Sequence, residues 1–230
     1  MKNILVIGGS SGIGLQLVKN MGSTHRVFAT YNQHATDNFD NATFHSLNVL
    51  DGNLDLSFLP ETLDGIAYCV GAISLKPFAR ISEDDFINDY KKQVGGAIRI
   101  IQSVLPKLKM AEQASIVLFS TIAVQTGFPF HTLVASSKGA IEGLTKALAA
   151  EFAPKIRVNC IAPSITDTPL AAALLNTEEK KLANAQRHPL KQVGEANDLA
   201  GMAEFLLTDK SKWITGQIFH VDGGMSTLKV

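Results

Sequence analysis

NILVIGGSSGIGLQLV, running from Asn3 to Val18, is the stretch that decides the fold. Ile4, Leu5, Val6 and Ile7 form a short apolar run with β-branched residues, the composition of a buried parallel strand. The run passes directly into Gly8-Gly9-Ser10-Ser11-Gly12-Ile13-Gly14. Leu15, Leu17, Val18 and Met21 then suit a helix folded back on the strand. Glycines in such a loop have three tasks. One lets the chain turn sharply, one lets backbone approach a pyrophosphate, and one lets helix and strand touch. The free N–H groups and positive end of the helix would face the phosphates. A glycine-rich stretch can also be a plain turn. Its place between strand and helix, at the start of the sequence, points instead to a dinucleotide phosphate site.

Six further apolar runs follow, with helical segments between them. They are Val27–Thr30, Thr43–Leu47, Ile66–Val70, Ser115–Phe119, Ile156–Ile161 and Gln217–Val221. Strands that alternate with helices imply a parallel sheet covered on both faces, here a three-layer, doubly wound α/β fold of seven strands. No repeat, low-complexity tract or linker divides the chain, so residues 1–230 read as one domain. Ser82 caps a predicted helix, with Glu83, Asp84 and Asp85 in its first turn to complement the dipole. Phe86, Tyr90, Val94, Ala97, Ile101, Leu105 and Leu108 recur there at helical spacing. A second helix covers roughly Ala135 to Phe152. Its interior glycines, Gly139 and Gly143, suggest close approach of another helix. The connection from Asn48 to Gly65 contains Pro60 and is too short for a full crossover helix, so one or two helical turns are expected.

The bulk composition narrows the function. The chain is 46% hydrophobic, enough for one large core. Lys+Arg and Asp+Glu both number 21, so the net charge is zero and nothing favours nucleic acid or an anionic membrane. The two cysteines, Cys69 and Cys160, lie in apolar runs and read as buried free thiols of a reducing compartment. No apolar run reaches membrane-spanning length, and the segment before the glycines is no signal peptide. A soluble cytoplasmic protein without a metal is expected.

The order of these pieces resembles the short-chain dehydrogenase/reductase family over essentially the whole chain. Gly8, Gly12 and Gly14 match its Thr-Gly-x-x-x-Gly-x-Gly motif, with Ile7 for the Thr. Ile156 to Pro163 is similar to the sixth strand and its Pro-Gly end, with Ser164 for the Gly. Ile214-Thr215-Gly216-Gln217 and Val221-Asp222-Gly223-Gly224 look like the C-terminal signature. The resemblance implies a Rossmann-type sheet with a nicotinamide cofactor across the strand ends, and hydride transfer between NAD(P) and a small carbonyl, alcohol or enone. The implied cofactor contacts are Gly8, Ser10, Ser11, Gly12, Ile13, Gly14, Tyr31, Asn48, Val49, Val70, Gly71, Lys138, Pro163, Ser164, Ile165 and Thr168. Thr168 stands where the family's Thr meets the nicotinamide carboxamide, and Asn48 where an Asp often touches adenine. The family's Asn-Asn-Ala-Gly reads Tyr68-Cys69-Val70-Gly71.

The family's proton-transfer groups are a Tyr, a Lys that lowers its pKa and binds ribose, a Ser, and an Asn that holds a water relay. Residue by residue, these positions read Val134, Lys138, Thr121 and Gln93. Val134 donates no proton, and the chain's tyrosines, Tyr31, Tyr68 and Tyr90, lie elsewhere. Carbonyl reduction puts charge on oxygen, so a donor must meet it. His131, seven residues before Lys138, is the nearest candidate. The spacing is similar to the Tyr-x6-Lys of the enoyl-reductase branch, though Pro129 and Thr132 suggest that the helix starts only there. Lys138, Glu142 and Lys146 also read as a solvated stripe along one helix face. Ser164 to Pro189 reads as a mobile lid or as a surface helix pair.

An acid at the end of the second strand would select NAD. Thr30-Tyr31-Asn32-Gln33-His34 has none, which leans towards NADP. Two function classes follow. One is an NAD(P)-dependent reductase of small molecules with altered catalytic groups. The other is a dinucleotide-binding protein that works through partners without turnover. The resemblance also implies a symmetric homo-oligomer, a dimer or tetramer, paired through the helices around Phe86–Leu108 and Ala135–Phe152.

Overall fold

Seven parallel strands form one sheet in the order β3-β2-β1-β4-β5-β6-β9 in the computed structural model, which describes residues 1–229. They are β1 (Asn3–Ile7), β2 (Arg26–Tyr31), β3 (Ala42–Ser46), β4 (Gly65–Tyr68), β5 (Ala114–Phe119), β6 (Ile156–Pro163) and β9 (Ile218–Val221). A two-residue pair, β7 (Thr166–Asp167) with β8 (Gly194–Glu195), stands apart. The helices are α1 (Gly12–Gly22), α2 (Glu83–Tyr90), α3 (Gly96–Met110), α4 (Ala123–Thr126), α5 (Thr132–Phe152), α6 (Glu178–Gln186) and α7 (Ala196–Leu207). The chain runs outward from β1 through β2 to β3, then returns to pair β4 on the other side of β1. That reversal is the switch point at which the loops leaving β1 and β4 part and leave a crevice.

Side chains of β1 alternate between the two faces, as the two-residue period requires. Leu5 and Ile7 pack with Ile100, Val104 and Ile141 of α3 and α5. Ile4 and Val6 pack with Leu17, Val18, Leu199 and Ala203 of α1 and α7. Both faces are therefore core, which is why the run is continuously apolar. Each such side chain stabilises the fold by roughly 1.5–3 kcal/mol.

Three expectations need correction. The connection from Asn48 to Gly65 contains no helical turn. Asn48 Oδ1 accepts from the Leu50 N–H (3.1 Å) and Asp55 Oδ1 from the Ser57 N–H (3.0 Å), local bonds that compete with helix. Leu59 and Leu63 anchor the loop in the core, and the Lys107 ammonium donates to Pro60 O (2.8 Å). The helix after Ser82 is not uniform either. Its capping box is present, with Ser82 Oγ accepting from Asp85 N and Asp85 Oδ2 from Ser82 N. Between α2 and α3, however, Lys91–Gly95 form a π turn, in which the Gly96 N–H reaches Lys91 O. Tyr90, expected on the core face, is 46% exposed, and Asp89 is buried in its place. The close approach expected at the α5 glycines holds for Gly139, which faces Val124 of α4, while Gly143 faces open space.

Candidate active site

The crevice begins at the glycine loop. Gly8 (φ +78°) and Gly12 (φ +51°) occupy left-handed backbone that only glycine enters freely. The Gly8 N–H donates to Thr30 Oγ1 (3.2 Å) and the Gly9 N–H to Thr30 O (2.8 Å), so the loop is pinned to β2. Gly14 serves packing. A Cβ there would lie 2.2 Å from Gly8 O, so this glycine lets α1 touch the loop and does not itself open a path to a ligand. Ser11 precedes the helix in extended conformation, and its side chain makes no capping bond. No side chain competes with an anion for the first-turn N–H groups, which suits a pyrophosphate.

The remaining cofactor positions surround that point. Tyr31 ends β2 half-buried, and Asn32 beyond it is exposed. Asn48 and Val49 follow β3. The Asn48 side chain is committed to its own turn, also donating to Asp51 Oδ1 (2.8 Å), and Val49 is buried. Thr168 lies against Gly12, so the far side of the crevice meets the glycine loop there.

Beyond the phosphate end, a cleft of about 330 Å³ opens over the strand ends. Ile13, Val70 and Gly71 line one wall, Thr121, Val134 and Lys138 the second, and Pro163, Ser164, Ile165 and Thr168 the third. Parallel pairing of β5 with β6 places the second and third walls side by side, and the Ile122 N–H donates to Pro163 O (3.1 Å). Lys138 is only 7% exposed, and its ammonium donates to Phe119 O (2.8 Å). Burial pulls it down to about 8, against the opposing pull of Cys160 and Asp89. Ammonium donors beyond that carbonyl remain for a ribose or a substrate oxygen. Thr121 is half-buried, and its hydroxyl accepts from the Ala123 N–H (3.3 Å).

Two expected catalytic positions sit differently. His131 lies just before α5, not on its face. Its Nδ1–H donates to Pro129 O (2.8 Å), and its ring lies 5.4 Å from that of Phe128 at the cleft rim. Gln93 lies in the π turn, wholly buried and away from the cleft lining. Its Nε2 donates to Asp89 Oδ2 (2.7 Å), and its Oε1 is buried without a partner.

Three buried pairs were not foreseen. Ser137 Oγ donates to Asp89 Oδ2 (2.6 Å), beside Lys138 in sequence. Ser120 Oγ donates to Glu142 Oε1 (2.7 Å). The supposed stripe of Lys138, Glu142 and Lys146 thus splits, with the first two buried and the third exposed. Ser164 Oγ lies 2.8 Å from His188 Nε2. The replacement of a family Gly by Ser164 signalled this pair, whereas His188 gave no sequence signal.

Among the described residues no tyrosine lines the cleft. Tyr68 points away from it, donating to Lys92 O (2.7 Å), and burial pushes its phenol above the ordinary range. Desolvation likewise pushes the Cys69 and Cys160 thiols up to about 12, which makes both poor nucleophiles. The segment from Ser164 to Pro189 is a 3₁₀ turn (Pro169–Leu174) followed by α6, with Leu170, Ala171, Leu174 and Arg187 lining the cleft. Among the described residues no helix is long and apolar enough to cross a membrane.

Comparison with known proteins agrees with this geometry. A family model described as enoyl-(acyl carrier protein) reductase matches residues 56–226. A tropinone reductase homologue of Arabidopsis thaliana is 32% identical over 240 residues, covering 96% of this chain and 78% of that protein. Among solved structures, a short chain dehydrogenase family protein from Francisella tularensis superposes with TM-score 0.86 at 26% identity, covering 99% of this chain and all of its own. ElxO with NADP bound superposes with TM-score 0.89, also at 26% identity and with the same coverage.

Proposed function

The chain belongs to the short-chain dehydrogenase/reductase family of NAD(P)-dependent oxidoreductases, and on that premise we propose that it reduces a small, largely apolar carbonyl or enone compound with NADPH. One observation carries the reading: Ile13 of the glycine loop, Thr121 and Lys138 line a single cleft at the switch point. The first-turn N–H groups of α1 would hold the pyrophosphate, and Lys138 the nicotinamide ribose. Thr168 and the backbone at Pro163–Ile165 would orient the nicotinamide, which supplies the hydride when bound. Thr121 would donate a hydrogen bond to the substrate oxygen. Ile13, Leu170 and Leu174 would exclude water from it. Absence of an acid after β2 favours NADP over NAD.

In this reading the protein is an atypical member, with Val134 where the family has its proton-donating Tyr. That same feature favours a second reading, a dinucleotide-binding protein without turnover. A nicotinamide-absorbance screen across ketones, quinones, enones and alcohols separates the two. Oxidation of NADPH with any of them supports the reductase. Tight binding in calorimetry with no turnover supports the binder, and no binding of either cofactor sinks both.

The working form in this proposal is a cytoplasmic homo-oligomer paired through α2–α3 and α5, for which the exposed Ile87 and Tyr90 supply apolar surface. A monomer in light scattering at micromolar concentration would count against it.

A further inference from the structure

We infer that Ser164 and His188 form the proton-delivery pair of this cleft, with Ser164 meeting the substrate oxygen and His188 positioned behind it. The inference rests on the reductase reading. Ser164 Oγ and His188 Nε2 are 2.8 Å apart, and both residues line the cleft. His188 Nδ1 lies 2.8 Å from Asn184 O. A carbonyl only accepts, so Nδ1 carries hydrogen, and Nε2 is the position that exchanges a proton with Ser164. Among the described residues the other hydrogen-bond partner of the Ser164 hydroxyl is the Met225 thioether at 3.4 Å, a weak acceptor that a substrate oxygen displaces readily.

The pair is held in place from several sides. His188 is 2% exposed. Its N–H donates to Ala185 O (3.0 Å), and Lys191 N–H donates to its carbonyl (2.9 Å). Gly223, at φ +62°, packs against the ring: a Cβ there would lie 3.5 Å from it, in ordinary contact. Ser164 continues β6 one residue past Pro163, whose carbonyl is bonded to Ile122, the neighbour of Thr121. Thr121 and Ser164 line the same cleft, so a carbonyl oxygen bonded to Thr121 would share that cleft with the Ser164 hydroxyl. His131 has no comparable arrangement. It sits at the rim, and its bonded partner is the Pro129 carbonyl.

In the step, the Ser164 O–H bond breaks as the O–H bond of the product alcohol forms. The Nε2–H of the protonated imidazole replaces the lost hydrogen. Neutral His188 keeps its Nδ1–H on Asn184 and regains the other proton from water. The electron pair reaching the carbonyl carbon comes from a reduced nicotinamide, the co-reactant of the reading above.

The test has one arm without cofactor. Protein labelled with ¹⁵N-histidine is titrated with 1-phenylethanol, an apolar body bearing one hydroxyl. The His188 signal is identified by its loss in His188→Gln. The expected result is a shift of His188 Nε2 that disappears in Ser164→Ala. No shift, or an equal shift in Ser164→Ala, overturns the inference. In the second arm, Ser164→Gly lowers kcat by about 10²–10⁴-fold when compared at saturating NADPH. His188→Ala does the same and recovers on addition of imidazole, which a merely structural histidine would not show. Full turnover in Ser164→Gly overturns the pair alone. Absence of turnover in the unaltered protein overturns the reductase reading, while the ¹⁵N arm still decides whether the two residues are coupled to a ligand.

Discussion

The two ends of the cleft are built from different materials. At the end proposed to hold phosphate the groups are backbone: the left-handed Gly8 and Gly12, and a helix N-terminus that no side chain caps. At the end proposed for the chemistry they are side chains, namely Thr121, Val134, Lys138 and the Ser164–His188 pair, with the buried carboxylates of Asp89 and Glu142 bonded behind the second wall to Ser137 and Ser120. Backbone donors stay in place whatever the neighbouring side chains are, provided the glycines keep their freedom. Side-chain donors change one substitution at a time. In the proposed reading the phosphate end keeps the three glycines of the family pattern, and the chemical end departs from it at Val134, Thr121 and Ser164.

That contrast can be tested from both ends. The largest effect is expected at the chemical end. Val134 lines the cleft four residues before Lys138, so Val134→Tyr projects a phenol towards the substrate space. In the Ser164→Gly background, which lacks the proposed donor, it should raise carbonyl reduction by about 10²–10⁴-fold, the usual worth of a placed proton donor. No gain with cofactor still bound would show that the pocket no longer holds a carbonyl near hydride distance.

At the phosphate end, Ser11→Asp keeps a good helix cap while placing a carboxylate where the pyrophosphate is proposed to bind. The variant should keep its Tm yet bind NADPH roughly ten- to a hundredfold more weakly in calorimetry. Unchanged affinity would move the phosphates elsewhere.

Asn32→Asp, just past β2, supplies the acid that ribose hydroxyls favour. The ratio of NADPH to NADH affinity should fall about tenfold. A constant ratio would show that this position does not read the ribose.

The smallest effect concerns Lys138. Burial holds it at about 8, below the ordinary 10.5. Below about pH 8 both folded and unfolded chains keep the proton, and the buried ammonium costs stability. Between about pH 8 and 10.5 the unfolded chain binds more protons, so that cost is relieved as pH rises. The Tm of the unaltered protein should therefore climb by a few degrees relative to Lys138→Met between pH 7.5 and 10. A flat difference would mean that the ammonium is solvated.

What could be read from the sequence divides along the same line. The apolar runs located all seven strands of the sheet; β1, β4, β5 and β6, buried on both faces, show that environment most plainly in their own composition. Gly8 and Gly12 announced the left-handed turn into the helix behind them, because positive φ is written into a single residue type. The rest depends on partners far away in sequence. Glu142 looks solvated until Ser120, twenty-two residues earlier, turns up beneath it. His188 gains its meaning from Ser164 across a whole connection. The Asn48–Gly65 loop is shaped by Asx bonds and by Lys107 of α3, which no local period reveals.

The π turn at Lys91–Gly95 also limits which mutations this region can accept. The buried series Val94, Ala97, Ile101, Val104 and Leu108, continued backwards at 3.6 residues per turn, would point Tyr90 and Ile87 inward. The five-residue turn delays the phase by one residue, and Asp89 takes the inward place. Rewinding Lys91–Gly95 into ordinary α-helix without removing a residue would reset that phase. Asp89 would swing outward, away from Ser137 and Gln93, and an aromatic ring would swing in beside Lys138. The region can therefore lose one of these residues more readily than it can rewind at its full length. Substitutions that favour regular helix across Lys91–Gly95 would rearrange the floor of the site.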